Sequence, residues 1–485
     1  MIRNRRKREG VLNIKFGVVL FIFLMICTVS YPGDKIVVYT APEGALLNND
    51  FSVKVRQSGK EWQAVPNHLI KVDEVRGIKH HVEEASMAFF DFSGEVEISV
   101  TFNNGPIRKA RVRPLSYGIE PTVKGNTLTF KLDQPHNLSV EVNDDIFHNL
   151  HLFANPIIEN VPDKNDPDVI FFGPGIHEFD NAQFKVPSNK TVYVDGGAVL
   201  RGQLLIHDAE NVKVFGSGMV EHTVKMGVHI SNSRNIEIEG IFTTQCATGG
   251  SDSVTIRNVK SISYYGWGDG LNVFASNNVY FDRVFCRNSD DCTTVYATRK
   301  GFEGGCRNIM MENSTLWADV AHPIFIGIHG NAQNFDIIED LVYRNIDILD
   351  HKEVQLDYQG CLAINGGDNN IIRNVLFEDI RIEDFRQGQL FNIRIFYNEK
   401  YCAAPGMGIE NIHFKNISYN GDNAEISVIA GYNSDRKVKN ITFENLRING
   451  RLITDDMPDK PAWYKTGDIA RIFVGEHVDG VSFIK

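Results

Sequence analysis

Asn411-Ile412-His413-Phe414-Lys415-Asn416-Ile417 and Asn440-Ile441-Thr442-Phe443-Glu444-Asn445-Leu446 are two copies of one phrase. In each, Asn opens a run of alternating apolar and polar residues, and a second Asn closes it before another apolar residue. Earlier copies are Asn211-Val212-Lys213-Val214-Phe215, Asn235-Ile236-Glu237-Ile238 and Asn278-Val279-Tyr280-Phe281. Two more are Asn308-Ile309-Met310-Met311-Glu312-Asn313 and Asn374-Val375-Leu376-Phe377-Glu378-Asp379-Ile380. The interval is roughly 20 to 40 residues, as in stacked repeats. Each run is too short and too β-branched for a helix, and no helical period fills the gaps. A single coil cannot bury its inward Ile, Val and Phe; coils above and below can. Equivalent Asn side chains at the corners then stack as ladders. The expected architecture over 165–485 is a right-handed parallel β-helix, since propeller blades need about four antiparallel strands per repeat.

Upstream the texture differs. Val96, Ile98, Val100 and Phe102 alternate with polar neighbours, as do Leu128, Phe130 and Leu132, and then Val140 and Val142. A period of two bounded by Gly, Asn and Pro predicts antiparallel strands with one solvated face, hence a β-sandwich over 35–155. The Asp- and Asn-rich stretch from Pro162 to Pro167 reads as the linker. The fold class is therefore all-β, an N-terminal sandwich followed by a solenoid.

Residues 1–30 read as a signal peptide, with Arg3, Arg5, Arg6, Lys7 and Arg8 ahead of the apolar run Phe16 to Ile26. That run is shorter than the roughly 20 residues of a spanning helix, leaving a retained N-terminal anchor as the alternative. The expected location is periplasmic, cell-surface or extracellular. A formal net charge of −11 argues against nucleic acid and anionic membrane as partners. Without Cys27 six cysteines remain, and none has zinc-ligand spacing, so neither metal nor cofactor is expected.

The densest polar stretch runs from Trp267 to Lys300. It holds Gly268-Asp269-Gly270-Leu271-Asn272 and, about 21 residues on, Asn288-Ser289-Asp290-Asp291-Cys292. One coil of separation, about 4.8 Å, puts Asp269 and the Asp290-Asp291 pair on neighbouring rungs of one face. Crowded carboxyls do not all ionise freely, so at least one is expected to hold its proton. An acid beside ionised bases is what glycoside hydrolysis requires. Trp267 is a candidate sugar-stacking ring, and Asn272, Lys300 and His329 are candidate substrate-binding residues. Tyr264, Tyr265, Arg299, Trp317 and His322 are weaker candidates. Any of the aspartates alone is better read as a turn residue or a calcium ligand; the joint spacing reverses that preference.

Gly268-Asp269-Gly270-Leu271-Asn272-Val273, Asn277-Asn278-Val279 and Ser289-Asp290-Asp291-Cys292 resemble the catalytic core of the polygalacturonase family of β-helix hydrolases. They resemble equally that of the related dextranase and isopullulanase family. The resemblance implies an inverting hydrolase, with Asp290 as general acid and Asp269 and Asp291 activating water. It also implies a disulfide between Cys292 and Cys306. The Gly-His-Gly and Arg-Ile-Lys motifs of polygalacturonases have only loose echoes, at Gly327-Ile328-His329-Gly330 and Asn392-Ile393-Arg394-Ile395. A uronate carboxylate thus lacks an evident charge-assisted partner. The leading sandwich, and Ser314-Thr315-Leu316-Trp317 through Pro323-Ile324-Phe325, look like the dextranase branch. The expected substrate is a dextran-like or other neutral α-glycan, with a polygalacturonase-type pectin hydrolase as the alternative. A calcium-dependent uronate lyase and a non-catalytic glycan-binding β-helix are the rivals.

Overall fold

The computed structural model describes residues 35–73, 81–221, 226–355, 357–358 and 360–485; the expected signal peptide and Cys27 lie outside them. From Val169 to Ile484 the chain winds as a parallel β-helix whose successive coils pair in parallel, with one antiparallel hairpin, Leu446–Ile448 against Arg451–Ile453, near its end. One inward stack reads Val212, Ile236, Val254, Val279, Ile309, Leu341, Val375, Ile412, Ile441 and Val481 in unbroken register. Each such buried aliphatic side chain contributes roughly 1.5–3 kcal/mol. Tyr343, Phe377, Phe414, Phe443 and Phe483 form a second interior column, with ring planes within 12° and centroids 4.8–5.3 Å apart.

The recurrent Asn residues sit where the corner requires positive φ, which Asn adopts at less cost than most L residues. Asn374, Asn411 and Asn440 have φ of 57°, 59° and 55°. Their amides form a ladder: Asn411 Nδ2 donates to Asn374 Oδ1 at 3.2 Å, and Asn440 Nδ2 to Asn411 Oδ1 at 3.1 Å. The closing Asn of the phrase builds a second ladder, in which Asn416 donates to Asp379 at 2.7 Å and Asn445 to Asn416 at 2.8 Å.

Between Lys35 and Pro156 two sheets enclose a core that includes Val53, Phe90, Phe92, Ile98, Val100, Leu128, Leu150 and Leu152. Here the expectation of antiparallel strands with one wet face fails in part. Val82–Ser93 and Asp145–Pro156 pair in parallel at the centre of their sheet. Both are buried on two faces. Ala88, Phe90, Leu150 and Leu152 face the sandwich core, whereas Met87, Phe89 and Phe153 pack on Phe242 and Phe285 of the solenoid. Double burial favours a continuous apolar run over alternation, as in Met87-Ala88-Phe89-Phe90. Polar ties cross the same boundary. Ser217 Oγ donates to Asp91 at 3.1 Å, and Lys260 Nζ donates to Asn155 Oδ1 at 2.6 Å. Burial holds that ammonium down at about 7.

All six cysteines among the described residues are free and buried, which corrects the implied Cys292–Cys306 disulfide. Both thiols fill the coil interior with the aliphatic side chains, and Cys306 Sγ donates instead to the Tyr296 carbonyl at 3.2 Å. Among the described residues no helix is long and apolar enough to cross a membrane.

Candidate active site

Leu271–Phe274, Thr293–Tyr296, Ile324–Gly327, Leu362–Gly366 and Phe391–Ile395 are successive rungs of one solenoid face. Leu271, Val273, Val295, Ile324 and Ile326 point into the core. Alternation sends Asn272, Phe274, Thr294, Tyr296 and Phe325 outward. The turns entering these rungs carry the aspartates. Gly270 N donates to the Asp291 carbonyl and Leu271 N to the Cys292 carbonyl, both at 2.8 Å. Asp269 therefore lies one rung from Asp291, as the spacing predicts. The fit leaves no room for a side chain at Gly270, where a Cβ would collide with the Cys292 carbonyl and the Asn288 amide. Asn288 Nδ2 reaches Ser263 Oγ at 3.0 Å and Ser289 Oγ reaches the Tyr265 carbonyl at 2.6 Å, fastening the two turns together.

Each carboxylate is held differently. Asp269, half-buried, accepts from Asn272 Nδ2 at 2.6 Å, so Asn272 contacts a carboxylate. Asp290 is buried and its Oδ1 accepts from the Asp291 amide at 3.1 Å. Asp291 accepts from Tyr296 Oη at 3.2 Å, from the His322 amide at 3.1 Å and from His322 Nδ1 at 2.6 Å. Burial, then the charges of Asp291 and Asp269, push the Tyr296 hydroxyl well above its ordinary value, keeping it a donor.

His322, a weaker candidate from sequence, contacts Asp291 directly. It is fully buried, lies flat on Phe325 at 4.6 Å, and its Nε2 meets the Tyr358 carbonyl at 2.8 Å. Both ring nitrogens thus meet oxygens, Nδ1 the Asp291 carboxylate and Nε2 the Tyr358 carbonyl, which fixes the ring's orientation. Its available sequence signal was position: His322 enters the rung after the one Asp291 enters. Trp317, weighed beside it, is fully buried under Arg287 at 4.1 Å, away from this face. Tyr264 lines a cavity between sandwich and solenoid.

Lys300 and His329 share a neighbouring cleft of about 430 Å³ with Arg299, Asp368, Glu399 and Lys400. The His329 ring meets Tyr296 edge-on at 4.9 Å, which joins this cleft to the aspartates. Burial, helped by Arg299 and Lys300, holds His329 down at about 3, so the ring is neutral. The Nε–H groups of Arg299 and of Arg394, three rungs along the same column from Tyr296, are buried and meet no acceptor among the described residues. Trp267 is 58% exposed, and its carbonyl is held by Gln245 Nε2 at 3.0 Å.

Residues 202–459, more than half of the chain and including every residue of the site, match the family described as Glycosyl hydrolases family 28. An Aspergillus niger protein that carries the name galacturan 1,4-alpha-galacturonidase A is 23% identical over 193 residues, 36% of this chain and 40% of that one. Its Aspergillus flavus namesake is 22% identical over 251 residues, 46% of this chain and 53% of that one. This chain thus matches about half or less of the length of these curated relatives. Dex49A from Penicillium minioluteum superposes with a TM-score of 0.64 at 13% identity, over 92% of this chain and 96% of that one, which is a likeness of fold.

Proposed function

The chain belongs to glycosyl hydrolases family 28, and from that premise we propose that it hydrolyses a uronate-bearing polysaccharide with inversion at the anomeric carbon. The carrying observation is the pairing of Asp269 with Asp290-Asp291 across one rung, beside a cleft lined by Arg299, Lys300 and Lys400. Asp290 protonates the leaving oxygen. Asp269 and Asp291 activate the water, Asp291 acting through the oxygens that Tyr296 and His322 orient.

The substrate preference rests on charge. From sequence, a uronate carboxylate lacked a cation, which favoured a neutral α-glycan. The cleft supplies three cations, and the Arg299 guanidinium has an unspent donor. Both curated relatives carry names that point the same way. Export, read from residues 1–30, belongs to the same proposal.

The test is reducing-end release from polygalacturonate, dextran and pullulan by the parent, Asp290→Asn and Lys300→Gln. Turnover of polygalacturonate is expected, reduced on the order of 10²–10⁴-fold in Asp290→Asn, with Lys300→Gln raising KM on the uronate polymer. Turnover of dextran alone would remove the uronate reading. An unsaturated, ultraviolet-absorbing product abolished by chelator would remove hydrolysis.

A further inference from the structure

Arg287 is fully buried three residues before Asp290, and all five of its N–H groups are used. Two grip Asp319, Nε to Oδ2 at 2.8 Å and Nη2 to Oδ1 at 3.1 Å. Asp319 is also fully buried, three residues before His322, and its amide donates to the Asn288 carbonyl at 2.8 Å. The other three N–H groups leave the solenoid. They reach Asn149 Oδ1 at 2.8 Å, His151 Nε2 at 3.1 Å and the Ile146 carbonyl at 2.9 Å, all on the sandwich strand Asp145–Pro156. Burial, then the Arg287 charge, pushes His151 well below its ordinary value, so its Nε2 is a neutral acceptor.

The fork therefore spans the rung carrying Asp290 and Asp291, the turn delivering His322, and the other lobe. We propose that the sandwich is a working part of the site: through Arg287 the strand Asp145–Pro156 fixes the Asp290-Asp291 turn against the His322 turn, making Arg287 a positioning residue. This rests on the catalytic reading of those aspartates. Lys cannot replace the fork, because three donors on one nitrogen reach neither both Asp319 oxygens in plane nor three sandwich acceptors. Misplacement approaching 1 Å at a reacting group costs up to about a hundredfold in rate. Substrate contacts lie on the cleft side, so binding is spared.

The experiment uses the full chain on whichever polymer the parent cleaves, with folding followed by circular dichroism and thermal unfolding. Arg287→Lys is expected to lower kcat roughly ten- to hundredfold with KM within about twofold, and to move the pH profile. Asn149→Ala, which leaves the Arg287–Asp319 pair intact, carries the test if Arg287→Lys does not fold; it should lower kcat by roughly three- to tenfold. Asn149→Asp keeps an oxygen toward Arg287 and should restore kcat. Parent kcat in Asn149→Ala, or an equal loss in Asn149→Ala and Asn149→Asp, overturns the inference. Should Asp290→Asn and Asp291→Asn keep full activity, the reading of the aspartates fails instead, and the two failures are distinguishable.

Discussion

Replacing Asn411 tests whether the corner ladders carry stability or merely decorate it. Asn411 has φ of 59°, donates to Asn374 at 3.2 Å and accepts from Asn440 at 3.1 Å. Asn411→Ala removes two solvent-facing hydrogen bonds, about 0.5–1 kcal/mol each at the low end of the usual range. It also forces a Cβ-bearing residue without a polar side chain into the left-handed region, about 1–2 kcal/mol. The total is roughly 2–4 kcal/mol, a sizeable part of a stability on the order of 5–15 kcal/mol. Asn411→Gly loses the same bonds but takes the backbone angle freely, offset by unfolded-chain entropy. It should be about 1 kcal/mol less damaging. Urea unfolding of parent, Ala and Gly forms decides the matter through their midpoints at constant m-value. Equal midpoints for Ala and Gly would refute the backbone component, and both lying within about 0.5 kcal/mol of the parent would refute the ladder.

Three further outcomes follow from the site and its surroundings. His322→Ala should lower kcat at least about a hundredfold, and Tyr296→Phe by less, because Asp291 loses its Nδ1 partner in the first and a weaker donor in the second; turnover within threefold of parent in His322→Ala would contradict this. Burial holds His68 down at about 4, so below about pH 6.5 the unfolded chain binds a proton that the native state refuses. Its contribution is intact above that pH and lost as pH falls toward 4, at about 1.4 kcal/mol per pH unit. His68→Gln should therefore lose about 2 kcal/mol less than the parent between pH 6.5 and 5 by urea unfolding, and parallel profiles would exclude it. Dithiothreitol should leave the melting temperature unchanged, since the described cysteines are free; a fall of several degrees would indicate a disulfide.

Much of this architecture was readable because the solenoid repeats its own local chemistry. The Asn at each corner answers a backbone angle, and the inward Ile, Val and Phe answer one stacking interval, so short phrases sufficed. Asp269 and Asp290-Asp291 were legible for the same reason: one coil separates them. What escaped was chemistry assembled between distant segments. His322 ranked only as a weaker candidate, because its hydrogen bond to Asp291 comes from the next coil and Ala321-His322-Pro323 by itself reads like the surroundings of a core histidine. The cation cleft joins Arg299 and Lys300 to Lys400, about a hundred residues on. Arg287 and Asn149 meet across 138 positions. The parallel pairing of Val82–Ser93 with Asp145–Pro156 was hidden because strands buried on both faces lose the alternation that marks a sandwich strand.

The most direct single measurement is proton NMR of the first sugar released from a polymer of known anomeric configuration, recorded before mutarotation. Carboxylates on adjacent rungs with water between them should give the inverted anomer. First appearance of the retained anomer would contradict that arrangement.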